Sequence, residues 1–156
     1  MTTVTVTPAT RDDIGSLAAS VAGLFLEDAG HHDSLVDPGW PEREGAEYCS
    51  ALVNDEACLV ALARDGGHVL GHLIGKLSGP DSVRTARIAV LESMRVEPGS
   101  RGAGIGSLLV RHFFAWARDC GAQQASVTAY AANDAALRFY ARHGFLPKNI
   151  TSRAIL

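Results

Sequence analysis

Apolar and polar positions along the chain switch between two periods, and the switches divide it into elements. Val4 to Thr7 alternate β-branched residues ahead of Pro8 and read as an opening strand. Behind Asp12 and Asp13, either of which can cap a helix, Ile14, Leu17, Ala18, Val21, Leu24 and Phe25 recur at helical spacing, and the pattern ends near Gly30. Residues 30–41, GHHDSLVDPGWP, hold Gly, Pro, Asp and His without a period and read as a loop before a second helix over Glu42 to Asn54. The apolar run Ala57 to Ala63, the turn Arg64-Asp65-Gly66-Gly67 and the run Val69 to Leu77 predict a hairpin. After a break at Gly79-Pro80-Asp81, Ala86 to Val96 predicts the next strand of an antiparallel meander. A helix from about 104 to 120 gathers Ile105, Leu108, Leu109, His112, Phe113 and Trp116 on one face, and Gly121 stops it. A strand over Ala125 to Ala129 follows, then a helix capped by Asn133 and ending at Gly144. One or two short closing strands are expected within Phe145 to Leu156.

This order of elements predicts an α+β fold: a mixed, mainly antiparallel central sheet of six to seven strands with helices on both faces. At 156 residues, 47% hydrophobic and 20% charged, the chain fits one domain over residues 1–156 with a sizeable core. No apolar run reaches the roughly 18 residues of a membrane helix, and the start MTTVTVTPAT lacks a basic segment followed by an apolar one. No membrane partner and a cytoplasmic location are therefore expected. Cys49, Cys58 and Cys120 are odd in number and far apart, which indicates neither a disulfide framework nor a metal site; they read as small buried hydrophobes. A net charge of −3 gives no basic face for nucleic acid. Arginines do gather in the second half, as Arg101, Arg111, Arg118, Arg138, Arg142 and Arg153.

The chemistry concentrates in residues 94–106, MRVEPGSRGAGIG, where a β-type run meets an Arg and three alternating glycines and opens into the amphipathic helix. Gly102, Gly104 and Gly106 lack a Cβ, so the turn can adopt positive φ and admit an anion to its peptide N–H groups. The first turn of the helix adds unpaired N–H groups and an aligned dipole, and Arg101 adds a cation with a planar fork. The three devices together suit a pyrophosphate. The dinucleotide fingerprint fails because its third Gly would fall at Ser107 and no acidic residue follows at the required distance. The triphosphate loop fails because no Lys follows the glycines.

What remains is an Arg-x-x-Gly-x-Gly pattern at Arg101, Gly104 and Gly106, preceded by Val96-Glu97-Pro98 and followed by Ala125 to Ala129, Asn133, Phe139-Tyr140 and Gly144-Phe145. This array closely resembles the GCN5-related N-acetyltransferase (GNAT) superfamily. The resemblance implies acetyl-CoA as cosubstrate, no metal, and transfer to a small-molecule amine by direct attack without an acyl-enzyme. It implies that the backbone of Met94, Arg95 and Val96 pairs with the pantetheine arm like an added strand, and that Arg101, Gly102, Ala103, Gly104, Ile105 and Gly106 hold the pyrophosphate. It places Tyr140 as general acid near the sulfur, with Asn133 a cofactor contact. Each has a plain alternative: Tyr140 shares a helix face with Leu137 and Ala136, and Asn133 is a good N-cap. Homodimers are common among relatives, but nothing in this chain identifies an interface.

A base must take the amine proton. Glu92 shares a face with Met94 and Val96, as residues two apart on a strand must, and acts directly or through water; the alternative is a solvent-facing strand residue. Glu97, in the loop, is worse placed. His31-His32-Asp33 is a poor metal site because adjacent side chains rarely converge on one ion. Glu27, Asp28, Asp33 and Asp37, with Trp40 as an aromatic wall, could instead form an acidic mouth for a cationic amine, or be ordinary loop charges. The alternative in another class is a non-catalytic module that senses acyl-CoA, for which a placed proton donor at Tyr140 has no use.

Overall fold

A computed structural model describes residues 3–156. Five strands form one sheet in the order β1 (Val4–Pro8), β2 (Cys58–Asp65), β3 (His68–Ser78), β4 (Ile88–Val96) and β5 (Gln124–Val127). The first three junctions are antiparallel and β4–β5 is parallel. Helices α1 (Ile14–Glu27) and α3 (Trp40–Val53) cover one face, joined through the single turn α2 (Ala29–His32). The other face carries α4 (Ile105–Asp119), with α5 (Asp134–Arg142) alongside its first turns.

Alternation along β2 feeds two cores. Leu59, Ala61 and Ala63 meet Leu109, Val110 and Phe113 of α4, while Val60 and Leu62 meet Leu17, Val21 and Cys49. The small residue Gly75 on β3 makes room for α4: a Cβ there would stand 2.9 Å from the Phe113 ring and 3.1 Å from Trp116. Gly121, at φ 76°, ends α4 as its position predicts. A capping box between Thr10 and Asp13 starts the first helical segment, so Asp13 acts from inside the turn.

Several boundaries differ from the sequence reading. The sheet has five strands, not six or seven, because residues 145–156 form none. Phe145 packs on Phe114 and Tyr140, but the polar and Pro-containing tail beyond it offers no alternating apolar face, and Leu146 and Ile150 stay exposed. The loop over 30–41 starts inside a helical turn, and α3 begins at Trp40 with Pro41 in its first turn, where a missing N–H costs nothing.

His72 is the one fully buried ionisable side chain among the described residues in the sheet. Its Nδ1 lies 2.6 Å from Ser20 Oγ on α1 and its Nε2 2.7 Å from Ser93 Oγ on β4, so one ring ties three elements. Burial, with the Arg95 charge second, pushes its pKa down to about 3. The unfolded chain therefore binds a proton below about pH 6.5 that the folded chain refuses, and stability present above that value is lost as the pH falls. Urea unfolding is expected to lose about 1.4 kcal/mol per pH unit between about pH 6.5 and 5 in the natural chain, and to be nearly flat there in His72→Gln. Equal slopes in both proteins would contradict the assignment.

Candidate active site

The strand that carries the candidate chemistry is irregular at one residue. Gly75 of β3 faces Leu91 and Ile74 faces Ser93, so Glu92 is an extra residue in β4, a β-bulge. Pairing with β5 covers only Ile88 to Leu91. From the bulge to Val96 the edge of β4 toward β5 is unpaired by any strand, and its peptide groups point into a gap.

That gap opens into a cleft of about 640 Å³. Met94 and Val96 line it from β4, Thr128 and Ala129 from beyond β5, and Phe139 and Tyr140 from α5. At one end stands the N-terminus of α4. Gly102 and Gly104 both have φ 82°, a left-handed conformation that a side chain would strain. Gly104 is the N-cap, its carbonyl accepting from Leu108 N–H, so the N–H groups of Ile105, Gly106 and Ser107 have no partner within the helix. Gly106 departs from the sequence reading. Its φ is not positive, and it is Gly because a Cβ would meet the Phe139 ring at 3.1 Å. Ala103 sits in the same turn and is exposed.

Two arginines of the reading are engaged with one carboxylate that was assigned to the loop's acidic mouth. Glu27, at the end of α1, accepts from Arg95 Nη2 at 2.9 Å through Oε1 and from Arg101 Nη2 at 2.6 Å through Oε2. Arg101 Nε also donates to Val96 O at 2.9 Å, and Arg95 Nη1 to Glu97 at 2.6 Å. The Arg95 guanidinium lies against α1, where Gly23 leaves room that any Cβ would fill. Hydrogen bonds from Arg95, then Arg101, hold the Glu27 carboxyl below its ordinary pKa. Arg101 is half exposed and sits beside the glycine turn, so an anion there competes with Glu27 for it.

Tyr140 lines the cleft and also packs edge-on against Phe139 and Phe145, so core and site roles coincide. Burial first, and the Asp28 charge second, push its pKa up to about 12, which keeps the hydroxyl protonated at neutral pH. Asn133 caps α5 by accepting from Ala136 N–H at 3.1 Å, and its Nδ2 donates to Asp28 Oδ1 at 3.2 Å across the cleft.

The structure corrects the face assigned to Glu92. Met94 and Val96 join the core on the α4 side, but the bulge breaks the alternation and leaves Glu92 exposed toward Tyr48 and Cys58, where its charge contributes to raising both pKa values. It does not line the cleft. Most of the acidic mouth is also spent elsewhere: Asp33 pairs with Arg153, Asp37 with Arg43, and Trp40 packs between Phe25 and Tyr48. Of the four acids, only Glu27 and Asp28 line the cleft. Among the described residues no group of three or more His, Cys, Asp or Glu could hold a metal, and no helix is long and apolar enough to cross a membrane. The free thiols fit their bland reading only in part: Cys49 is buried, with its pKa raised to about 11 by burial, while Cys58 and Cys120 are half-buried.

The family model for the acetyltransferase (GNAT) family matches residues 22–145. The chain belongs to that family. The streptothricin acetyltransferase of Streptomyces lavendulae is 34% identical over 109 residues, 70% of this chain and 53% of that protein, so the match spans about half of the relative's length. An uncharacterized N-acetyltransferase of Mycobacterium tuberculosis is 28% identical over 137 residues, covering 86% of this chain and 81% of its own. In fold, the chain superimposes on an aminoglycoside N-acetyltransferase crystallised with CoA at a TM-score of 0.78 and 14% identity, over 100% of this chain and 94% of that one. In GNAT terms, Glu27 and the bulge are what the sequence reading missed. The bulge has no local signal, and Glu27 was visible only as one acid among several.

Substituting the N-cap separates conformation from space, since nothing lies within 4 Å of a Cβ built on Gly104. Gly104→Ala is expected to lower stability by about 1–2 kcal/mol and to weaken acetyl-CoA binding at least tenfold by calorimetry, because the turn must leave its left-handed conformation. Unchanged affinity would show that the turn does not hold the ligand.

Proposed function

We propose that this GNAT domain is an acetyl-CoA-dependent N-acetyltransferase acting on a primary amine of a small cationic molecule by direct attack. The observation that carries the reading is the convergence, in one cleft, of an unpaired strand edge, an anion-competent helix start and a phenol held protonated. The family match supports it, as do relatives named for streptothricin and aminoglycoside acetylation. The acetyl thioester supplies an electrophilic carbonyl and a thiolate leaving group.

The chain supplies orientation and proton management. Peptide groups of Met94, Arg95 and Val96 hold the pantetheine arm as an added strand, one N–H polarising the carbonyl. The turn from Arg101 through Gly102, Ala103, Gly104 and Ile105 to Gly106 holds the diphosphate, with Arg101 exchanging Glu27 for it. Tyr140 returns a proton to the leaving sulfur, and its desolvated hydroxyl has one to give at neutral pH. Asn133 steadies that end of the cleft between α5 and Asp28. Glu92, outside the cleft at the bulge, takes the amine proton through water. Asp28, a carboxylate in the cleft, attracts the cationic acceptor.

Thiol release from acetyl-CoA with a panel of amines tests the activity. Tyr140→Phe is expected to lower kcat by about a hundredfold or more with little change in acetyl-CoA affinity. An unchanged rate would remove Tyr140 as the acid, and no thiol release with any amine would remove the transferase reading. Asp28→Asn, in the same assay, is expected to raise the KM of a dicationic amine about tenfold while leaving that of a neutral amine unchanged.

A further inference from the structure

One hydrogen-bonded pair beside the glycine turn has no role in the account above. Ser107 is the third residue of α4, and its side chain lines the cleft where the helix N–H groups are unpaired. Behind it stands His143, just past the end of α5, with Nε2 3.0 Å from Ser107 Oγ and Nδ1 2.9 Å from the Phe139 carbonyl oxygen. The ring lies 4.5 Å from the Phe139 ring, centroid to centroid, and both residues are half-buried.

The two partners fix where the protons are. A carbonyl oxygen can only accept, so Nδ1 carries a hydrogen in the bonded arrangement. In a neutral imidazole Nε2 is then a bare acceptor, and the Ser107 hydroxyl must donate its only hydrogen to it. The hydroxyl has nothing left for an anion. Adding a proton at Nε2 reverses that bond: Nε2–H donates to Oγ, and the hydroxyl hydrogen is released to point into the cleft. The same proton places a positive charge one hydroxyl away from the α4 N-terminus.

We infer that His143 is a positioning residue for the cofactor's diphosphate: its protonated form turns the Ser107 hydroxyl into a donor to a phosphate oxygen, so that the diphosphate and a proton bind together. This rests on the reading of the glycine turn as the diphosphate site. The charged side chains around the pair favour such coupling. Arg142 lines the cleft on the α5 side and Arg118 lines the shallow groove between α4 and β5 that His143 also borders. The carboxylates of the cleft, Glu27 and Asp28, belong to the α1 side, and the shallow groove has none. A dianion arriving at the turn attracts an imidazolium placed behind Ser107, so each ligand raises the other's affinity.

The test uses acetyl-CoA lacking its 3′-phosphate, because a phosphomonoester itself titrates near pH 6 and the thioester leaves no thiol to ionise. Its dissociation constant is measured by calorimetry from about pH 5.5 to 8, with proton uptake read from buffers of different ionisation heat. The natural chain is expected to bind about five- to tenfold more tightly at the acid end and to take up a fraction of a proton on binding. His143→Gln is expected to show neither effect, and Ser107→Ala, a substitution on the helix surface that does not depend on His143 folding correctly, to lose most of both. A pH-independent dissociation constant in the natural chain, or the full pH effect surviving in either variant, would overturn the proposal while leaving the diphosphate site intact. No binding by the natural chain at any pH would overturn the site and this inference with it.

Discussion

Parallel pairing between β4 and β5 stops at Leu91 and Val127, and everything proposed for the site is built in the gap that follows. A strand edge left without a partner is normally a liability, since its peptide groups lack hydrogen bonds and invite any extended chain. Here the extra residue at Glu92 turns β4 away from its neighbour, and the exposed edge becomes the wall of a cleft. His72 holds the far side of that strand. By bonding Ser93, the residue after the bulge, to Ser20 on α1, it fixes the departure of β4 against the opposite helix layer without adding a buried charge.

The electrostatics divide the cleft along its length. Arg101, the N-terminus of α4 and the Ser107–His143 pair gather donors at the turn, while Asp28 accepts from Asn133 in the same cleft. Glu27 pairs with both Arg95 and Arg101. Burial within the aromatic cluster of Phe139 and Phe145 keeps the Tyr140 hydroxyl protonated.

Much of this is legible in the sequence through local rules. The period of α4 and its stop at Gly121, the hairpin turning at Gly66-Gly67, the Asn133 cap and the left-handed glycines at 102 and 104 are each decided by residues within a few positions of one another. What escaped depends on the fold as a whole. An inserted residue such as Glu92 is invisible to alternation, and it moved every side chain after it to the other face than the one counted from Leu91. Glu27 meets Arg95 and Arg101 across 68 and 74 residues of chain, which spacing cannot reveal. Gly106 resembled its neighbours in the turn, yet it is small for the sake of Phe139 on a different helix. The tail after Phe145 reads as one or two short closing strands, yet it forms none, and its apolar residues stay exposed.

A crystal structure of the protein with acetyl-CoA examines the central claim most directly. The account predicts pantetheine amides bonded to the peptide groups of Met94 to Val96, the diphosphate on the N–H groups of Ile105 to Ser107, and the Arg101 guanidinium moved from Glu27 to a phosphate oxygen. Acetyl-CoA lodged elsewhere, with the edge of β4 bare and Arg101 still on Glu27, would contradict it.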